Sequence, residues 1–384
     1  MCRLVGAAML SLAVASCASH ERPQPHTRFG ALPFPGVTSL FHAADAGDLG
    51  EHHYSGWADR PFESEGERGI LYTERAGFVD IVHLRNAADW TWYAFASIQD
   101  ARTKAARNGT PGPQPLVFDF EGARVRVLVP ETPDNDAALA AHVSYAVLTW
   151  HEAATWYGHS MVALVSEKRS AFTCDDVMSH ILGVRAAEEV IDAGATEQTY
   201  DTQMTAQIGA DITSLEPRTP AGTLDACTDA RGAWWEGNSP ILRDAAVHLD
   251  GSPKRPLLLT TTGGARQGDL EFSLPAFTAP VPADWITIEV QPVTRERVKA
   301  VLGSTTIRGV ADLDRVVDDV AVDLAAKART VVLRQGDAAV PALPTRHAAI
   351  GSSGPVVAQF IAPARPSTAR VESEGDVGSL PVKK

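Results

Sequence analysis

The chain has 384 residues, 45% of them hydrophobic, and a formal charge of −13 at pH 7. Length and apolar content suffice for one large or two moderate domains with a sizeable core. The acidic balance leaves a nucleic-acid partner, or binding to anionic lipid, without an electrostatic basis.

Arg3 and the apolar run Leu4 to Val14 form the charged and hydrophobic regions of an export signal. The run is too short to span a bilayer. It ends in Val14-Ala15-Ser16-Cys17, which resembles the lipobox of lipoprotein signal peptidase and predicts cleavage before Cys17 with lipid on that cysteine. Ala18, in place of the aspartate that retains lipoproteins in the inner membrane of enteric bacteria, favours the outer membrane of a bacterial cell envelope. Losing Arg3 with the signal takes the charge to −14. Cys2 leaves with the signal, so Cys174 and Cys227 remain for an oxidising compartment. A disulfide between them would close a loop of about fifty residues and add up to about 4 kcal/mol; two buried thiols are the equal alternative.

The proline-bearing, polar stretch 17–35 has the composition of a lipidated tether. Ile70-Leu71-Tyr72 leads into a helical pattern carried by Phe78, Ile81, Val82, Leu84 and Trp90, which ends at Gly109 and the prolines after it. Leu116 to Phe120 and Ala123 to Val129 alternate about Glu121-Gly122 as a β-hairpin. A long helix is expected from Ala137 to Tyr157, stopped by Gly158. Another runs from Cys174 or Asp175 to Ala193, with Thr173 as N-cap and Asp176 as an imperfect capping-box partner. Residues 216–240 are turn-rich, and Leu257 to Thr262 with Gly263-Gly264 give a strand and turn. A strand Trp285 to Val290 and helices Arg295 to Leu302 and Val310 to Ala326 follow. The expected fold class is α+β: signal peptide 1–16, tether 17–35, helix-rich main domain 36–275 with small β elements, a smaller α+β subdomain 276–362, and a disordered tail 363–384.

Histidines and carboxylates gather in three segments: Asp80, His83 and Asp89; His151, Glu152 and His159; and Glu167 through Asp175, Asp176 and His180. Asp80 and His83, three apart on one helix face, are candidate ligands of one metal. His151-Glu152-Ala-Ala-Thr155 begins like the zincin motif His-Glu-x-x-His, but Thr155 replaces the second histidine, so this helix alone holds no zinc site. The expectation is therefore a divalent metal such as zinc on Asp80, His83 and His151, with Glu152 as general base. Opposed to it stands a structural network in which the same histidines pair with buried carboxylates. Cys174 and His180 fall on different helix faces, which argues against a thiol dyad. No glycine-rich loop has the context of a nucleotide site.

The motifs Gly77-Phe-Val-Asp-x-x-His83-x-Arg85, His151-Glu-x-Ala-Thr-Trp-Tyr-Gly158 and Ser170-Ala-Phe-x-x-x-Asp176 resemble an uncharacterised family of bacterial lipoproteins known as a domain of unknown function. The resemblance covers about residues 35 to 265 and implies that they form one unit; it implies no known activity. The chain departs from the expected pattern at Cys174, where a proline is expected, and around His248-Leu249. Three functions are open: a metal-dependent envelope hydrolase acting on peptidoglycan, glycan or lipid, a non-enzymatic lipoprotein that scaffolds or binds an envelope protein or glycan, or a thiol enzyme using Cys174.

Overall fold

The computed structural model describes residues 22–25, 28, 42–54, 68–131, 135–160, 166–237, 239–246, 248–276 and 281–327, with the backbone of 331–333. The signal peptide, Cys17 and the tail 363–384 lie outside the described residues, as does most of the tether.

Strands β1 (Ile70–Thr73) and β2 (Gly77–Asp80) form a hairpin that leads directly into helix α1 (Ile81–Asn108). Phe78 therefore belongs to a strand rather than to the helix, because Gly77, at φ 72°, turns the chain back beside the Leu257 carbonyl. Strands β3 (Gln114–Phe120) and β4 (Ala123–Val129) form the expected hairpin, with Glu121 and Gly122 at φ 50° and 81° in the two-residue turn. Helices α2 (Asp136–Trp156) and α3 (Asp176–Asp192) match their expected spans, and α4 (Tyr200–Ser214) and α5 (Pro220–Asp229) follow. The segment expected to be turn-rich thus contains α5, capped by Thr219 and started by Pro220 at its first position.

Beyond it come short strands β5 (Trp235–Glu236), β6 (Ser239–Pro240), β7 (Leu242–Asp244), β8 (Leu257–Leu259) and β9 (Ala265–Gln267). Strand β10 (Ile286–Glu289), α6 (Arg295–Leu302), β11 (Thr306–Arg308), α7 (Gly309–Ala326) and β12 (Val331–Leu333) complete the described chain. The main sheet is antiparallel in the order β11-β10-β4-β3, and β12 pairs with β7 in parallel. The fold is α+β. The region after residue 276 shares this sheet with the body, and its Ile286, Ile288, Val316 and Val320 belong to the same hydrophobic core as α1, α2 and α3. No helix among the described residues is long and apolar enough to cross a membrane.

Two packing features position the site. Helix α2 is buried almost all round, as a central helix must be when other elements cover each of its sides. Helices α1 and α3 cross at Gly183, where a Cβ would stand 2.1 Å from the Leu84 carbonyl oxygen. Only glycine allows that approach.

Part of the expected tether is docked. Arg28 is buried, with Nη2 2.6 Å from Asp89 Oδ2 and 2.7 Å from the His53 carbonyl, and Asp89 Oδ1 lies 2.9 Å from His52 Nε2. The composition of 17–35 does not betray this, because the partner of Arg28 is sixty-one residues away.

Candidate metal centre

Donor atoms of His83, Glu152 and His180 lie within 4.8 Å of one another. His83 comes from the first turn of α1, Glu152 from the last half of α2 and His180 from the second turn of α3. Glu152 and His180 are 3% and 2% exposed. Two donors on one zinc ion, each about 2.0–2.2 Å from it, are at most about 4.4 Å apart. Small side-chain movements therefore suffice for all three to reach one ion.

The surrounding contacts aim these donors. Asp80 closes β2 and caps α1, its Oδ1 accepting the Val82 N–H at 2.7 Å, while its Oδ2 stands 3.1 Å from His83 Nδ1. A carboxylate behind one imidazole nitrogen turns the other toward a metal. The Asp80 N–H donates to Ser179 Oγ, whose hydroxyl donates to the Asp175 carbonyl, tying the starts of α1 and α3 together. Glu152 Oε2 accepts the Phe172 N–H at 2.7 Å, leaving its other oxygen for the histidines. His180 Nε2 is buried without a hydrogen-bond partner, an arrangement that needs an explanation in a native interior. Asp176 gives one oxygen to the Thr173 N–H and holds the other 3.7 Å from His83 Nε2.

The electrostatics differ between the two histidines, and a metal would have to displace a proton from His83. Burial pulls the His83 pKa down, but the Asp176 and Asp80 carboxylates outweigh it and hold it well above the usual histidine value. Burial, with His83 and His151 nearby, pushes His180 well below that value, so its imidazole is neutral, the form that binds a metal. Burial raises Asp176, with Glu152 adding repulsion, and burial raises Asp175, with Asp80 adding its own. Asp80, Glu152, Asp175 and Asp176 are all buried here; Asp176, Glu152 and Asp175 act on the buried Arg243, and Asp176 and Asp80 act on His83. A divalent cation binding here would take the place of the His83 proton as counter-charge.

Of the residues expected from sequence, His83 and Glu152 converge, with Glu152 placed as a donor rather than as a free base. Asp80 touches His83 but lies outside the convergent group, because it is the extended N-cap (φ −90°, ψ 115°) and not a residue of the first turn. His151 lies outside it as well. Consecutive helix residues point about 100° apart, so with Glu152 turned inward His151 faces the β3–β4 turn, its Nδ1 2.6 Å from Glu121 Oε2. Burial lowers His151, but Glu121 more than compensates and its pKa rises to about 9. His180 stands in the convergent group instead. It lies in the third polar segment, ninety-seven residues from His83, and no spacing rule links the two.

Cys174 and Cys227 are free thiols packed in one small cluster with Trp234 and Trp235, so the disulfide is not formed here. Burial, aided by Asp244, holds the Cys174 pKa well above the usual value, and burial pushes Cys227 to about 12, which disfavours a thiolate nucleophile.

These features define an α+β protein with a buried centre of two histidines and one carboxylate where three helices meet. The chain belongs to the family described as "Protein of unknown function (DUF4056)", whose model matches residues 13–247, a span that includes every residue of the centre. No curated protein and no solved structure matches it.

Proposed function

We propose that the chain is a bacterial envelope lipoprotein, held to the outer membrane by lipid on Cys17, and that it is a metal-dependent hydrolase of a cell-envelope substrate such as peptidoglycan, glycan or lipid. The observation that carries the enzymatic part is the convergence of His83, Glu152 and His180. Two histidines and one carboxylate are a zinc donor set that leaves a coordination position for water. Zinc lowers the pKa of that water toward 7 and polarises a substrate carbonyl. The side chains of His83, His151 and His159 keep 16%, 13% and 13% exposure, so these histidines are not sealed from solvent. The anchor rests on the lipobox-like Val14 to Cys17.

The test is elemental analysis of the full mature chain purified without an affinity metal, beside folded His83→Ala and His180→Ala variants. About one zinc, manganese or iron per chain, lost in both variants, supports the reading. A metal-free wild type that also takes up none of the three on addition makes the cluster a structural network in a binding lipoprotein. Mass spectrometry of the mature N-terminus, with Cys17→Ala as control, tests the anchor.

A further inference from the structure

The segment Ala171-Phe172-Thr173 has an unusual conformation. Phe172 is a buried, bulky residue at φ 55°, in the left-handed region. For a non-glycine residue this conformation is strained and persists only where surrounding contacts over-determine it. Here the contacts come from β7. The Arg243 guanidinium Nη1 donates to the Ala171 carbonyl, and the Asp244 N–H donates to the Phe172 carbonyl at 3.0 Å. The consequence falls on the centre: consecutive N–H groups of Phe172 and Thr173 are delivered to Glu152 Oε2 and Asp176 Oδ2, each at 2.7 Å. Successive N–H groups in such a turn form a small anion-holding concavity. Two carboxylates share it.

Arg243 is 4% exposed, whereas the side chains of His83 and His151 keep 16% and 13% exposure. Burying a guanidinium is costly unless nearby charge offsets it, and Glu152, Asp175 and Asp176 supply that charge.

We propose that Arg243 is a positioning residue for the metal centre: by holding the Ala171 carbonyl it keeps Phe172 in the left-handed conformation that fixes Glu152 against His83 and His180. This rests on the metal-site reading above. Supporting groups of this kind typically change metal affinity 10–100-fold.

The experiment measures zinc affinity by competition with a chromophoric chelator, and the visible spectrum of the cobalt(II)-loaded full mature chain. Arg243→Gln is expected to raise the zinc Kd 10–100-fold and to shift the cobalt bands. Arg243→Lys, which keeps one cationic donor for the Ala171 carbonyl, is expected to recover most of both. Arg28→Met, destabilising but remote, should leave the cobalt spectrum unchanged. A folded Arg243→Gln protein with Kd within twofold of wild type and the same spectrum overturns the role of Arg243 and leaves the metal site standing. A wild type that binds neither zinc nor cobalt removes the metal site and this inference with it. Should Arg243→Gln not fold, Arg243→Lys is followed by hydrogen exchange across residues 170–174. Exchange and zinc binding that change together, or that both stay near wild type, support the proposal, and a change in one without the other overturns it.

Discussion

The rings of His83 and His180 lie 5.3 Å apart between centroids, tilted by 58°, although they come from different helices. That distance depends on the α1–α3 crossing, and the crossing depends on Gly183, one turn beyond His180. Gly183→Ala would place a methyl 2.1 Å from the Leu84 carbonyl, next in sequence to His83. Overpacking of this kind costs about 1–3 kcal/mol. The expected outcome is a loss of that size in urea denaturation with weaker zinc binding; an unchanged midpoint would mean that the helices separate freely.

Asp80 and His151 should behave differently from each other in metal analysis. Asp80→Asn keeps a helix cap but removes the charge behind His83, so zinc binding is expected to weaken 10–100-fold with stoichiometry recoverable in excess metal. His151→Ala, outside the convergent group, should retain stoichiometric metal. Loss of metal in His151→Ala at saturating zinc would restore His151 as a ligand.

Arg28 and Asp89 form an ion pair with side chains 3% and 0% exposed. Removing one member of such a pair leaves a buried charge and costs about 3–5 kcal/mol. Arg28→Met should therefore destabilise the chain by about that amount. A change below about 1 kcal/mol would mean that Arg28 is not held to the body by this pair.

His248 should contribute a loss of stability as the solution is acidified from pH 7. Burial and the nearby Lys254 ammonium lower its pKa to about 4, while the unfolded chain keeps the ordinary value near 6.5. Below pH 6.5 the unfolded state takes up a proton that the folded state refuses, so the stability present above pH 6.5 is lost toward pH 4. At pH 5 this amounts to about 2 kcal/mol. His248→Gln should remove that part of the pH dependence in denaturation curves at pH 5 and 7; parallel curves for the two proteins would contradict the assignment.

Neither Cys174 nor Cys227 should react appreciably with a thiol reagent at pH 8 unless denaturant is present, since burial keeps both protonated. Rapid labelling of Cys174 in the native chain would reopen the thiol-enzyme alternative.

Most elements were legible in the sequence because their signals are local. Alternation about Glu121-Gly122 yields the β3–β4 hairpin, and apolar periodicity with terminal punctuation yields α2, α3, α6 and α7. The exceptions have equally local causes. The helical pattern starting at Phe78 absorbed β2, α4 (Tyr200–Ser214) was not expected at all, and α5 was missed although Thr219-Pro220 marks its start. The sequence also identified the three polar segments that build the centre. What it could not decide was which members of each segment face one another. His151 and Glu152 are neighbours in the chain and diverge on the helix, whereas His83 and His180 share no spacing rule and converge because Gly183 lets α1 and α3 touch. The same holds for Arg28, whose partner Asp89 is brought to it only by the packed body. Local patterning determines where elements begin and end; the direction of a buried polar side chain depends on long-range packing, and that is decided only in the tertiary structure.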